Sequence, residues 1–440
     1  MPVVIESSVW EPNPWLFILI FLACFLSILL LPYFSKKHIV SSGKSPAIFD
    51  LGIASASFLR FQRNFLIIYF LASVLEGLDF AFGEFEFAHY GVSREQILLS
   101  IFVGHASSLF FGTFIGAFSD LIFETWMVVQ HEKQGHRRDT LNDIYWLMSF
   151  FEAASIIQSQ VLSNWLIGDN VEQNISSPHM ATVFFAMLGI ICISKIWAEV
   201  PQKTVFKEYK VSFQTHIFGD KKIWLLAWVQ ACLHFSVAVF WILWAPTVVA
   251  DGREVHLGMI YPCLFGSRML GSTIFPWLID RLSSRRTEDY LVYAFGIQGL
   301  VLFIIAYDYQ EIVVLVTLFC LFQASVGLIL PSLVKLRTMY VPNELRGGMT
   351  SLSQAPAHAA ILFFMVQGGY YRNIGNAAIL AIAALGLFTA AGCMHVLKRF
   401  SGYVDNSAGK SGKNANMSIR HQDLGPTVKD CTSRALDVAP

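Results

Sequence analysis

GAFSDLIFETW, residues 116–126, decides how the chain is read. Its first half closes an apolar helix on small residues and Asp120, where a membrane helix ought to turn through a basic loop. Its second half is already another apolar run, and that run carries Glu124.

The composition around this stretch fixes the class. Across 440 residues, 55% are hydrophobic, only 14% are charged, and mean hydropathy is +0.54, which is too apolar for a soluble protein of this size. Basic and acidic residues balance at 31 each, so no bulk field argues for a nucleic-acid partner, and basic charge matters by position. Seven cysteines lie mostly inside apolar runs without a CxxC pair, so neither a disulfide framework nor a zinc site is indicated.

Eleven apolar runs are long enough to cross about 30 Å of hydrocarbon. They cover residues 14–34, 63–83, 95–119, 143–167, 180–198, 223–247, 257–280, 290–307, 312–335, 349–370 and 376–397. Glu6 and Glu11 precede the first run, which reads as a retained anchor and not as a cleaved signal peptide. Lys36, Lys37, Lys44, Arg60 and Arg63 follow it; Lys133, Arg137 and Arg138 lie between the third and fourth runs; Lys203, Lys207, Lys210, Lys221 and Lys222 occupy a central loop. With alternating spans these basic loops share one face, which the positive-inside rule makes cytoplasmic. Arg281, Arg285, Arg286, Lys335, Arg337, Arg346, Lys398 and Arg399 continue the series on that face. The opposite loops are acidic or neutral, and one holds the glycosylation sequon at Asn174.

Several stretches together carry a family resemblance. FQRNFLIIYFLASVLEG (61–77), FFGTFIGAFSD (110–120), FETWMVVQHEKQG (123–135), ILWAPTVV (242–249), LGMIYPCLFGSRMLGS (257–272) and GLILPSLVKLRTMYVPNELRGGMTSLSQAPAH (327–358) resemble the major facilitator domain-containing protein 5 group, the molybdate-anion transporters. The resemblance covers most of residues 55–398. It implies an all-α integral membrane protein of the major facilitator fold with an extra amino-terminal span. In that family the aspartate matching Asp120 opens a basic turn, and two helices intervene before the FE-x-W element closes the fourth core helix. Here Glu124 follows at once, so about fifty residues, one helix pair, are missing. The stretch is a junction made by splicing or by a gene-model boundary. Losing two spans preserves the sidedness of every later loop.

The organisation expected is an anchor span and linker at 1–50, a truncated four-helix transporter half at 51–200, a central cytoplasmic loop at 201–222, a six-helix half at 223–398 and a disordered tail at 399–440. A half short of two helices is expected to leave Glu124 and Glu152 without partners. Gly104, Gly112 and Gly116 offer a small-residue face for close helix contact.

Charges at mid-depth cost at least about 2.5–3.5 kcal/mol each and mark the informative positions. Arg268 in CLFGSRMLGS either grips an oxyanion with its fork or pairs with an acid on a neighbouring helix. Glu152 is the natural partner, or a proton-coupling group. Glu76 and Asp79 read as lining an outer mouth or as acids facing water. Gln230 and His234, one turn apart, can donate to an oxyanion, against the plainer reading of a packing histidine. By the resemblance, Gln230 keeps the family residue, His234 replaces an acid, and Gln323 and Gln354 replace a glutamate and an arginine.

No nucleophile elbow, P-loop or metal cluster is visible, which points away from an enzyme and from any cofactor. The functional expectation is a plasma-membrane facilitator whose partners are the lipid bilayer and a small anionic solute, molybdate by the resemblance. A truncated, non-transporting scaffold or sensor and a facilitator for another solute are the rivals. A cysteine placed at Arg137 should resist an impermeant maleimide in intact cells and react after permeabilisation; labelling of intact cells would contradict the orientation.

Overall fold

A computed structural model of the chain describes residues 9–41, 50–112, 122–135, 140–167, 176–196, 219–250, 253–281, 286–307, 311–342, 345–370 and 374–422. Among them are twelve α-helices and no strand longer than an isolated bridge. They are α1 (Pro14–Ser41), α2 (Asp50–His89), α3 (Arg94–Ser107), α4 (Ile122–Lys133), α5 (Leu141–Ile167) and α6 (Ser176–Ile196). The second set is α7 (Lys221–Val248), α8 (Leu257–Arg281), α9 (Thr287–Tyr307), α10 (Ile312–Tyr340), α11 (Arg346–Phe364) and α12 (Asn376–Gln422). One π-helical stretch, Ser108–Gly112, prolongs α3, and another, Met365–Tyr370, prolongs α11.

Within the described residues each of the eleven apolar runs is helical. Six of the helices are long and apolar enough to cross a bilayer, and α1, α3 and α6 carry shorter apolar segments. Local signals set helix starts. Ser93 and Gln96 form a capping box at α3, Gln96 N–H donating to Ser93 Oγ at 3.3 Å and Ser93 N–H to Gln96 Oε1 at 2.9 Å. Asp220 caps α7 by accepting from Lys222 N–H at 2.8 Å.

The twelfth helix, α4, was not among the expected spans. IFETWMVVQHEK forms a helix over 12 described residues, about 18 Å long. Its rings give its direction. Trp126 stacks on Phe65 and Phe61, while His131 meets Phe61 and Phe58, so α4 descends as α2 rises. Asp120, with Gly116 and Asn174, lies outside the described residues.

Helices α7–α12 surround one large core, with α9 on α12, α8 on α10 and α7 on α12 as the broadest contacts. On the other side α2 packs on α5 and α6, and a second cluster joins Phe58, Phe61 and Phe65 to Trp126, Met127, Ile144 and Tyr145. The two groups meet where α5 lies on α8 and α10 and where α3 leans on α11. The extra span α1 packs on α8, with Ile20 and Cys24 against Gly266. Its leading segment is pinned beside α8: Trp10 N–H donates to the Glu254 carbonyl at 3.0 Å, and His256 N–H to the Trp10 carbonyl at 3.2 Å.

Two expectations need correction. Residues 401–422, read as disordered tail, continue α12 as helix, since extending an established helix adds a hydrogen bond for each residue fixed. Gly104 faces open space and not a helix, because α3 finds its main packing on α11 alone. Close approach occurs elsewhere. A Cβ on Gly271 would overlap the Ala324 carbonyl, and one on Gly327 the Arg268 carbonyl, so two glycines set the crossing of α8 and α10. Gly271→Val should therefore lower the melting temperature of the detergent-purified protein sharply, while Gly104→Val leaves it within a degree or two. Equal tolerance of both substitutions would contradict this packing.

Candidate functional site

Charged and polar side chains collect along the seam between the two helix groups. At mid-depth, Arg268 of α8 donates from Nη2 to Glu152 Oε1 of α5 at 2.8 Å. Tyr69 of α2 donates its hydroxyl to the other carboxylate oxygen at 3.4 Å. The Arg268 side chain is 9% exposed and its Nε has no protein acceptor. The glycine-set crossing with α10 fixes the backbone that carries it. The partnership read from the sequence is thus present, and Glu152, expected to be stranded, is not.

Nearer the basic end, both guanidinium edges of Arg337 on α10 engage Glu124 of α4. Nε donates to Oε1 at 3.3 Å and Nη2 to Oε2 at 2.6 Å, with exposures of 9% for Arg337 and 4% for Glu124. This bidentate pair overturns the expectation that Glu124 loses its partner. Helix α4 presents this acid to α10 of the other helix group. Beside the pair, Tyr145 and Thr338 share a hydrogen bond of 2.7 Å between α5 and α10. Arg346, at the start of α11 and 1% exposed, donates from Nη2 to the Thr338 carbonyl at 3.3 Å, while its Nε and Nη1 have no protein acceptor.

A third cross-seam contact joins His105 of α3 to His358 of α11, Nδ1 to Nδ1 at 3.0 Å. One ring must carry the shared proton and the other accept it. Arg337, Arg346, His105 and His358 did not stand out in the sequence. The arginines read as positive-inside charge, and the histidines lie 253 residues apart.

Among the remaining candidates, Gln230 and His234 approach each other on α7, Nε2 to Nε2 at 3.4 Å. Gln230 is buried with its Oε1 unpartnered. Gln323 on α10 is fully buried, with neither amide atom paired to protein. Such atoms are uncommon in folded proteins and call for a reason. Gln354 on α11 is half-buried, and among the described residues no hydrogen bond joins it or Gln323 to Arg268. Glu76 and Asp79 are exposed on α2.

A family model described as sugar transporters with 12 transmembrane helices matches residues 50–122 and 121–315. The chain belongs to this family, a branch of the major facilitator transporters. Its two matched stretches meet at residues 121–122, where α4 begins. Among the described residues eleven helices follow α1, α4 being the shortest of them, where the family description has twelve. Among solved structures, the chain is similar to a bacterial homologue of the iron transporter ferroportin in an outward-facing state. The TM-score is 0.58 at 11% identity, covering 77% of this chain and 99% of that one. It is also similar to the Escherichia coli fucose:proton symporter, with a TM-score of 0.48 at 14% identity, covering 87% and 97% respectively. The first likeness shows the shared fold. The chain is a multi-pass integral membrane protein of the major facilitator class, the class of secondary transporters.

Glu124→Gln leaves a buried guanidinium without its counter-charge, a loss of about 3–5 kcal/mol. Thermal unfolding in detergent should show that loss, and Glu124→Gln combined with Arg337→Met should recover a large part of it. Additive losses in the double variant would mean the pair is not coupled.

Proposed function

We propose that this transporter moves a small oxyanion of the molybdate class into cells by alternating access. The observation that carries the reading is Arg268: a buried guanidinium on the seam, held by Glu152 on one edge and with a donor to spare on the other. An incoming oxyanion would exchange one anionic partner of Arg268 for another, so a desolvated guanidinium is never left bare. Gln230 and His234 would add neutral donors, and Gln323 and Gln354 would supply amide groups without adding charge. Opening toward the basic face then requires Glu124 to leave Arg337 and Tyr145 to leave Thr338. Rocking of two halves about a central site is how carriers of this architecture work. Glu76, Glu152 and Glu124 are the acids available to couple such a movement to ions. The membrane in question is the plasma membrane in this reading.

Two observations favour rivals. Arg268 is already paired, and the sequence brings Glu124 four residues after Asp120 with no basic turn between them, as suits a non-transporting scaffold or sensor. The family description instead favours a sugar as the solute. Cells expressing the chain should accumulate labelled molybdate above vector controls, with Arg268→Ala reduced to background and labelled hexose unchanged. Molybdate uptake equal to the control removes the proposal; hexose uptake in its place selects the sugar reading.

A further inference from the structure

Helices α2, α5 and α6 leave between them an open groove of about 1140 Å³. Leu66, Ile67 and Phe70 of α2, Leu147 and Phe151 of α5 and Leu188 of α6 line it. At its basic end stand Arg60 and Arg63, one helical turn apart on α2 and both exposed. Among the described residues no acid pairs with either of them. Arg60 also borders a second, polar cleft of about 210 Å³ between α2 and α4, together with Ser57, Asn64 and Gln130. An apolar channel and a cleft rich in hydrogen-bonding side chains therefore share one guanidinium.

The dimensions and the charge together select an occupant. From Leu59 to Leu71 the groove follows α2 for about 18 Å, close to the roughly 15 Å of hydrocarbon in one leaflet. It opens on the face where Lys and Arg collect, the face against which anionic lipids are held. A small oxyanion would satisfy the arginines but leave the apolar walls uncovered. An apolar helix from a second copy would cover the walls but leave two guanidinium groups without a counter-charge.

We propose that an anionic glycerophospholipid of the cytoplasmic leaflet occupies this groove. Its phosphate lies against Arg60 and Arg63, its headgroup enters the polar cleft, and an acyl chain runs along Leu66, Ile67 and Phe70. The lipid then covers a face of α2 in a half that has one helix pair fewer than its family, and it ties α2 to α5 and α6.

The test is lipid retention by the purified full-length protein, read by native mass spectrometry after exchange with phosphatidylserine or phosphatidylcholine. Phosphatidylserine should be retained at least tenfold better and should raise the melting temperature, whereas soluble glycerophosphoserine should do neither. Arg60→Gln with Arg63→Gln should reduce phosphatidylserine to the phosphatidylcholine level; Arg60→Lys with Arg63→Lys should keep the preference; Leu66→Trp should exclude both lipids. Equal retention of the two lipids by the wild type overturns the proposal, even if the glutamine variant fails to fold. So does undiminished phosphatidylserine on a folded glutamine variant, or a lipid-free dimer that Leu66→Trp abolishes.

Discussion

A carboxylate cannot remain ionised at depth in a membrane protein unless a cation comes to it, and this requirement shapes the seam. Glu124 lies in the first described turn of α4 and is buried. The cation that meets it, Arg337, belongs to the opposite helix group, so neutralising one side chain also closes the two groups on each other. Glu152 and Arg268 repeat the arrangement nearer the centre. In the proposed transport cycle both contacts would be exchanged for other partners. Such exchange is what a rocking carrier needs from its gates.

Helix α4 carries two of the contacts that bind the first helix group together and to the second. They are the aromatic face that packs on α2 and the acid that faces α10. Among the described residues nothing packs on Gly104, and an apolar groove runs between α2, α5 and α6. Lipid can cover apolar faces of this kind, and the cationic rim of the groove gives it a preference among lipids.

The helices were legible because hydropathy and charge asymmetry are local quantities, and each apolar run is helical over its described residues. The partnership of Arg268 and Glu152 was legible for a related reason: ionisable groups are scarce at mid-depth, so few pairings exist. Arg337 was hidden by its usual role, since an arginine near a basic-face helix end reads as a topology signal. His105 and His358 carry no local signal at all, and only the packing of α3 on α11 brings them together. The fate of Glu124 was misread because losing two helices suggested losing its partner, whereas its partner sits on a helix that was never removed.

Distances between spin labels at Glu132 on α4 and Met339 on α10, in a background without the native cysteines, test the seam most directly. Both positions are exposed on the basic side of the closing pair. The account predicts one short, narrow distribution in the resting wild type and an added longer component in Glu124→Gln. A distribution that is already broad in the wild type, or that is identical in the two proteins, would contradict the claim that this buried ion pair holds the halves together.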